Sequence, residues 1–309
     1  MIFSPIGMRI SSLFSLPVVV AAGLLTVVGP GPANAEDTKP AADQAAEVGR
    51  SASIDFVLGN SLFVLLHEFG HVLIRDFDIP LLGLEENSAD TIAGVILILA
   101  DRNQPERQPR LSEYLAMAAL ANILIWQTGL EESQKEIIYW AQHDVSVRRA
   151  SRLICLLYGS DTQEFGWLAE AVEMPEERRD VCEDEFDIAR RAVGWVMATY
   201  GQSAADNPDL ERPTIEVKYG QPRNEAQTRL LAIIREVGLL EIAADFIRSR
   251  FILPDSMTLR VKSCFGPNAY WDPDYRELIF CVELLEGLEK IGDKPVVQRL
   301  QADFAAARD

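Results

Sequence analysis

Apolar residues recur at helical spacing through "SIDFVLGNSLFVLLHEFGHVLIRDF", residues 53 to 77. A helix this long and apolar on most sides must lie inside a fold, with other elements packed round it. Pro80 ends the pattern. The centre of the run nevertheless reads "HEFGH". The chain has only three histidines, and two of them, His67 and His71, stand here four residues apart.

Residues i and i+4 share a helix face, so both imidazoles can aim at one point. Zinc accepts such nitrogens at about 2.0–2.1 Å. Glu68 lies one step round the helix, beside a metal and not on it. From there it can take a proton from a water that zinc holds, the general-base role of H-E-x-x-H hydrolases. Chance occurrence of this spacing in a chain of average composition is on the order of one per cent. The plain alternative is a buried helix with two satisfied histidines.

A third protein ligand is needed, and "EENSAD" opens the next helical stretch. Glu86 and Asp90 are four apart. Glu86 would ligate zinc, and Asp90 would accept a hydrogen bond from the far nitrogen of a ligating histidine. Glu85 competes for the ligand role but has no acid at i+4. Acids are also favoured in a helix's first turn without any metal.

The N-terminus reads as an export signal. Arg9, the apolar "SLFSLPVVVAAGLLTVVG" and the small-x-small "ANA" ending at Ala35 form a signal peptide over 1–35, with an uncleaved anchor as the alternative. Residues 36–50 are polar and read as a flexible segment. Residues 51–309 form the folded part, and no later run is expected to span a membrane. Cys155, Cys182, Cys264 and Cys281 make an even count in an exported chain, which implies two disulfides. Three connectivities are possible. The local pairs Cys155–Cys182 and Cys264–Cys281 are preferred, the second across a hairpin. A net charge of −18 argues against nucleic acid as a partner.

Helical patterns dominate 51–200, with Asp144 a cap candidate. The texture changes over 214–309. "TIEVKY", "MTLRVKSC" and "ELIFCVEL" read as strands, and "NEAQTRLLAIIREVGLLEIAADFIRSRF" as one amphipathic helix. The fold class is α+β, mainly helical with a small C-terminally contributed sheet.

H-E-x-x-H followed by a helix bearing E-x-x-x-D resembles the gluzincin metallopeptidases over residues 67–90. The resemblance puts His67, His71 and Glu86 on the metal, Glu68 as base and Asp90 behind a ligand. It implies a zincin-like domain, zinc and a peptide or protein substrate. Through "LFVLLHEFGHVLI", "RLICLLYGSD" and "CFGPNAYWDPDYRELIFCVELL" the chain also resembles a bacterial family of exported proteins classed as metallopeptidases. One departure stands out. Gluzincin sheets usually precede the active-site helix, whereas the strands here follow it. An edge strand that pairs with substrate would come from "MTLRVKSC" or the segment near "NAYW".

Further candidates are weaker. His143 could donate to an oxyanion, or it could simply cap a helix C-terminus. Tyr139 and Tyr158 are similar. Asn268 and Tyr270 could reach substrate or fix a turn, and "RRASR" at 148–152 could meet a carboxylate or stay wet. The expected activity is a periplasmic or secreted zinc peptidase. The alternatives are a non-catalytic zinc-stabilised binding protein and a hydrolase of a non-peptide amide.

Overall fold

The computed structural model describes residues 52–103, 110–132, 146–201 and 212–306. The signal-peptide and flexible-segment expectations, Asp144, Tyr139 and His143 all fall outside these residues. Helix α1, Ala52–Asp76, runs through the core with Phe56, Leu58, Phe69, Val72 and Leu73 essentially sealed from solvent. Helices α2 (Glu85–Arg102), α3 (Leu111–Glu132), α4 (Ser146–Ser160), α5 (Gly166–Ala171) and α6 (Glu176–Tyr200) follow, and α2 and α3 pack directly on α1. Glu85 and Glu86 occupy the first turn of α2, where the helix dipole favours acids.

Among the described residues, α1 is long and apolar enough to cross a bilayer, with a mean hydropathy of 1.5. That corrects the expectation that no such run follows the signal segment. The reason is physical: 94% of the apolar window is buried inside the protein, so the same composition serves a core helix.

The remaining elements are β1 (Ile215–Tyr219), α7 (Glu225–Val237), α8 (Leu239–Arg250), β2 (Met257–Lys262), β3 (Ala269–Asp272), β4 (Glu277–Cys281), α9 (Val282–Gly292) and α10 (Pro295–Ala306). The expected single helix over the "NEAQ…SRF" stretch is two helices. Gly238 sits between them at φ 67°, a left-handed conformation that stops α7 and lets the chain turn into α8. Asn224 starts α7 by accepting from the Gln227 N–H at 2.7 Å.

The sheet order is β1-β2-β4-β3. Strands β1, β2 and β4 run parallel, and only β3 is antiparallel, paired with β4 from Ala269↔Phe280 to Asp272↔Glu277. The hairpin expected between Cys264 and Cys281 is formed by β3 and β4. "MTLRVKSC" and "ELIFCVEL" are parallel neighbours, and the intervening chain folds back as β3 to pair with the second. A predominantly helical α+β fold with a small mixed sheet results. Disulfides join Cys155 in α4 to Cys182 in α6, and Cys264 before β3 to Cys281 at the end of β4.

β3 forms one edge of the sheet. The Cys281 N–H donates to the Asn268 carbonyl. Antiparallel pairing alternates, so Tyr270 and Asp272 turn their backbone groups toward β4 while Ala269 and Trp271 turn theirs to the free edge. That edge lies against α1.

Candidate metal centre

Gly70 lets α2 come close to α1. A methyl at Gly70 would stand 3.0 Å from the Ala89 Cα and 3.2 Å from its Cβ. This proximity brings Glu86 over the two histidines. His67 Nε2 and His71 Nε2 are 3.3 Å apart, and Glu86 Oε2 lies 3.3 Å from the first and 3.6 Å from the second. Donors on one face of a tetrahedron round a zinc-sized ion, each at about 2.0–2.1 Å, are separated by roughly 3.3–3.4 Å. The three atoms fit that face and can hold a metal ion.

The outer nitrogens support the fit. His67 Nδ1 is 2.8 Å from Asp90 Oδ1, and His71 Nδ1 is 2.8 Å from Glu85 Oε1. A ring nitrogen that donates to a carboxylate leaves the other as a lone pair. Both Nε2 lone pairs then converge with a carboxylate oxygen, an arrangement that repels itself unless a cation sits between them. Arg149 forks onto Asp90 at 2.6 and 2.9 Å, and Arg75 holds Glu85 at 3.1 and 3.2 Å. Glu68, Glu85, Glu86 and Asp90 thus face two guanidinium groups, which leaves two negative charges and favours a divalent ion.

Protonation follows the same field. Burial disfavours a charged His67, but hydrogen bonds to Asp90 and Glu86 outweigh it and push the imidazole up to about 9. A proton there stands in for the metal. His71 is also raised: burial works against its charge, and Glu86 and Glu85 prevail. Burial alone would raise Asp90, yet His67 and Arg149 pull it down to about 2, so it stays a carboxylate. Burial holds the Glu68 carboxyl above the usual range, with the two imidazoles pulling back only in part.

Glu68 sits beside the cluster, 8% exposed, and its Oε2 accepts the Trp271 N–H at 3.0 Å. The catalytic-base candidate and the free edge of β3 therefore meet directly. A cleft of about 490 Å³ opens here. Glu68, His71 and Glu86 line it beneath, Arg75 and Leu84 flank it, and residues 268–271 with Pro273 form the other wall.

The other candidates sort as follows. Asn268 and Tyr270 line the cleft, although Asn268 Oδ1 is taken by the Ala269 N–H at 3.0 Å. Tyr158 packs against the core. The "RRASR" arginines do not wait for substrate: Arg149 binds Asp90 and Arg152 binds Asn87 at 2.7 Å. Sequence reasoning missed Glu85 as the partner of His71, and it missed the Trp271 amide. Glu85 had one readable signal, Arg75 at i+4 from His71 on the facing helix.

A helix pair that presents His, His and Glu to one point, with a carboxylate behind each imidazole, forms a cluster that could hold a metal ion beside an open sheet edge. The chain belongs to the family described as "Putative metallopeptidase", whose model matches residues 34–196 and 219–307. It matches no curated protein and no solved structure.

Proposed function

We propose that this chain is an exported zinc-dependent metallopeptidase, with His67, His71 and Glu86 holding zinc and Glu68 as general base. The observation that carries the reading is the convergence of His67 Nε2, His71 Nε2 and Glu86 Oε2 beside Glu68 at the free edge of β3. When bound, zinc supplies Lewis acidity toward a carbonyl and an attacking water. Among the described residues three protein ligands converge, which suits a catalytic site better than a closed structural one.

The residues divide the remaining work. Asp90 and Glu85 fix the tautomers of His67 and His71. The Trp271 amide holds one oxygen of Glu68, so Oε1 is left to take the proton of the attacking water and return it to the leaving amine. The raised Glu68 affinity for protons brings it nearer the working pH. Extended peptide adds to β3 as a further strand, donating its N–H groups to the outward carbonyls of Ala269 and Trp271, whose own N–H groups are held by Asn268 and Glu68. Of the two segments the sequence offered for this role, "NAYW" lies on an edge strand and "MTLRVKSC" inside the sheet, which supports β3 in it. The N-terminal signal pattern and the two disulfides support export to the periplasm or the medium.

The test is zinc content and peptide cleavage for the oxidised mature chain and for Glu68→Gln. One zinc in both, with cleavage by the native sequence alone, is the expected result. One zinc in both with no cleavage of a broad peptide library would leave a binding role or a non-peptide amide. No zinc in either would refute the metal centre.

A further inference from the structure

The hairpin that carries β3 is strained on both sides. Phe265 has φ 68° before the strand, and Arg276 has φ 53° after it. Neither is glycine, so surrounding contacts must hold each in the left-handed region. Near Phe265 the holder is Glu283. Its carboxylate accepts the Cys264 N–H at 3.0 Å and the Phe265 N–H at 3.3 Å, and the Cys264–Cys281 bridge adjoins it.

At Arg276 the side chain itself does the holding. Its Nη1 and Nη2 donate to the two oxygens of Asp76 at 2.6 and 2.8 Å. Nη2 also reaches the Asp255 carbonyl at 3.2 Å, and the guanidinium lies 5.2 Å from the Trp271 ring centre. Asp76 is the last residue of α1, two turns beyond Glu68, and its side chain is 7% exposed. A bidentate fork fixes direction as well as distance. One side chain thus ties the β3–β4 turn to the helix that bears His67, Glu68 and His71.

We propose that Arg276 is the positioning residue for the substrate wall of the cleft, its fork on Asp76 setting how far β3 stands from Glu68 and the metal ligands. The proposal rests on the peptidase reading above. Besides this fork, the Trp271–Glu68 hydrogen bond joins β3 to α1. Backbone pairing works only at a strand spacing of about 4.7–4.9 Å, so a wall that drifts loses its substrate. Substrate pairing with β3 persists from the bound state to the transition state, so losing it raises KM more than it lowers kcat.

Arg276→Met and Arg276→Lys test this in the full mature chain, loaded with zinc. Zinc affinity is expected to stay within about twofold, because the ligands lie on α1 and α2. Backbone amide exchange over residues 269–272 should quicken at least tenfold, and KM for a peptide the native protein cleaves should rise about tenfold. Lysine keeps a charge on Asp76 but cannot fork, so it should restore the melting temperature and not the exchange or the KM. Unchanged exchange and KM in the methionine variant, or full rescue by lysine, would overturn the proposal. If the methionine variant does not fold, exchange and KM of the lysine variant decide. If the native protein cleaves no peptide, the peptidase reading falls, while amide exchange still judges the clamp.

Discussion

Replacing Gly70 with alanine should weaken metal binding although it adds a better helix former. In an ordinary mid-helix position Gly→Ala stabilises by about 1 kcal/mol. Here the new methyl would meet the Ala89 Cα at 3.0 Å, its Cβ at 3.2 Å and its carbonyl oxygen at 3.4 Å. Carbon atoms settle at about 3.5–4.0 Å, so α2 must retreat by roughly half an ångström. Ala89 is fully buried, and overpacking of this kind costs about 1–3 kcal/mol. The propensity gain is offset, and the metal-free protein should end up level or about 2 kcal/mol less stable. The same retreat carries Glu86 and Asp90 away from His67, since both ride on α2. A tenfold loss of zinc affinity, about 1.4 kcal/mol, is the expected result. Competition against a chromophoric chelator measures the affinity, and thermal unfolding in chelator measures the stability. A variant that is stabilised by about 1 kcal/mol and binds zinc as tightly as the native chain would refute the close approach of α2.

The two forms of the protein should respond to pH in opposite senses. His67 in the metal-free fold is raised to about 9, so its contribution is complete below its unfolded value of about 6.5 and lost as pH rises through 9, about 3 kcal/mol in all. Zinc competes with that proton, so apparent zinc affinity should climb with pH up to about 9; denaturant titrations and zinc competition across pH 6 to 10 would show both trends. Asp90→Asn should cost 10–100-fold in zinc affinity, because it loses the carboxylate between His67 and Arg149; equal affinity would show that Asp90 does not orient the ligand. Removing the Cys155–Cys182 bridge with serines should lower stability by about 2–4 kcal/mol in denaturant melts, and an unchanged midpoint would count against it.

The candidate metal cluster was legible because each pair uses local periodicity. His67 with His71, and Glu86 with Asp90, are fixed by the i, i+4 geometry of a helix, and the two helices are consecutive. The role of Glu85 was only faintly legible, through Arg75 at i+4 from His71, since it depends on which face of α2 turns toward both. Only the close packing at Gly70 decides that. Strand identity could be read from alternation in "TIEVKY" and "MTLRVKSC". Pairing could not, because alternation does not distinguish a parallel neighbour from an antiparallel one, and β3 is only four residues long. The break at Gly238 was present as a glycine within an apolar pattern, where glycine is tolerated in helices as well as ending them. Arg149 looked like a wet basic residue, and no local pattern marked Arg276. Their partners, Asp90 and Asp76, lie 59 and 200 residues away.

The contact between Glu68 and the Trp271 amide spans 203 residues of chain, while the three metal ligands fall within a stretch of twenty. A chain made N-terminus first therefore presents His67, His71 and Glu86 early and β3 late. Helices α1 and α2 can assemble from local contacts, but Glu68 gains its fixed orientation only after the last third of the protein has arrived and folded back. Under the peptidase function proposed above, this order leaves a partly made chain with its metal centre but no strand to hold a peptide against it.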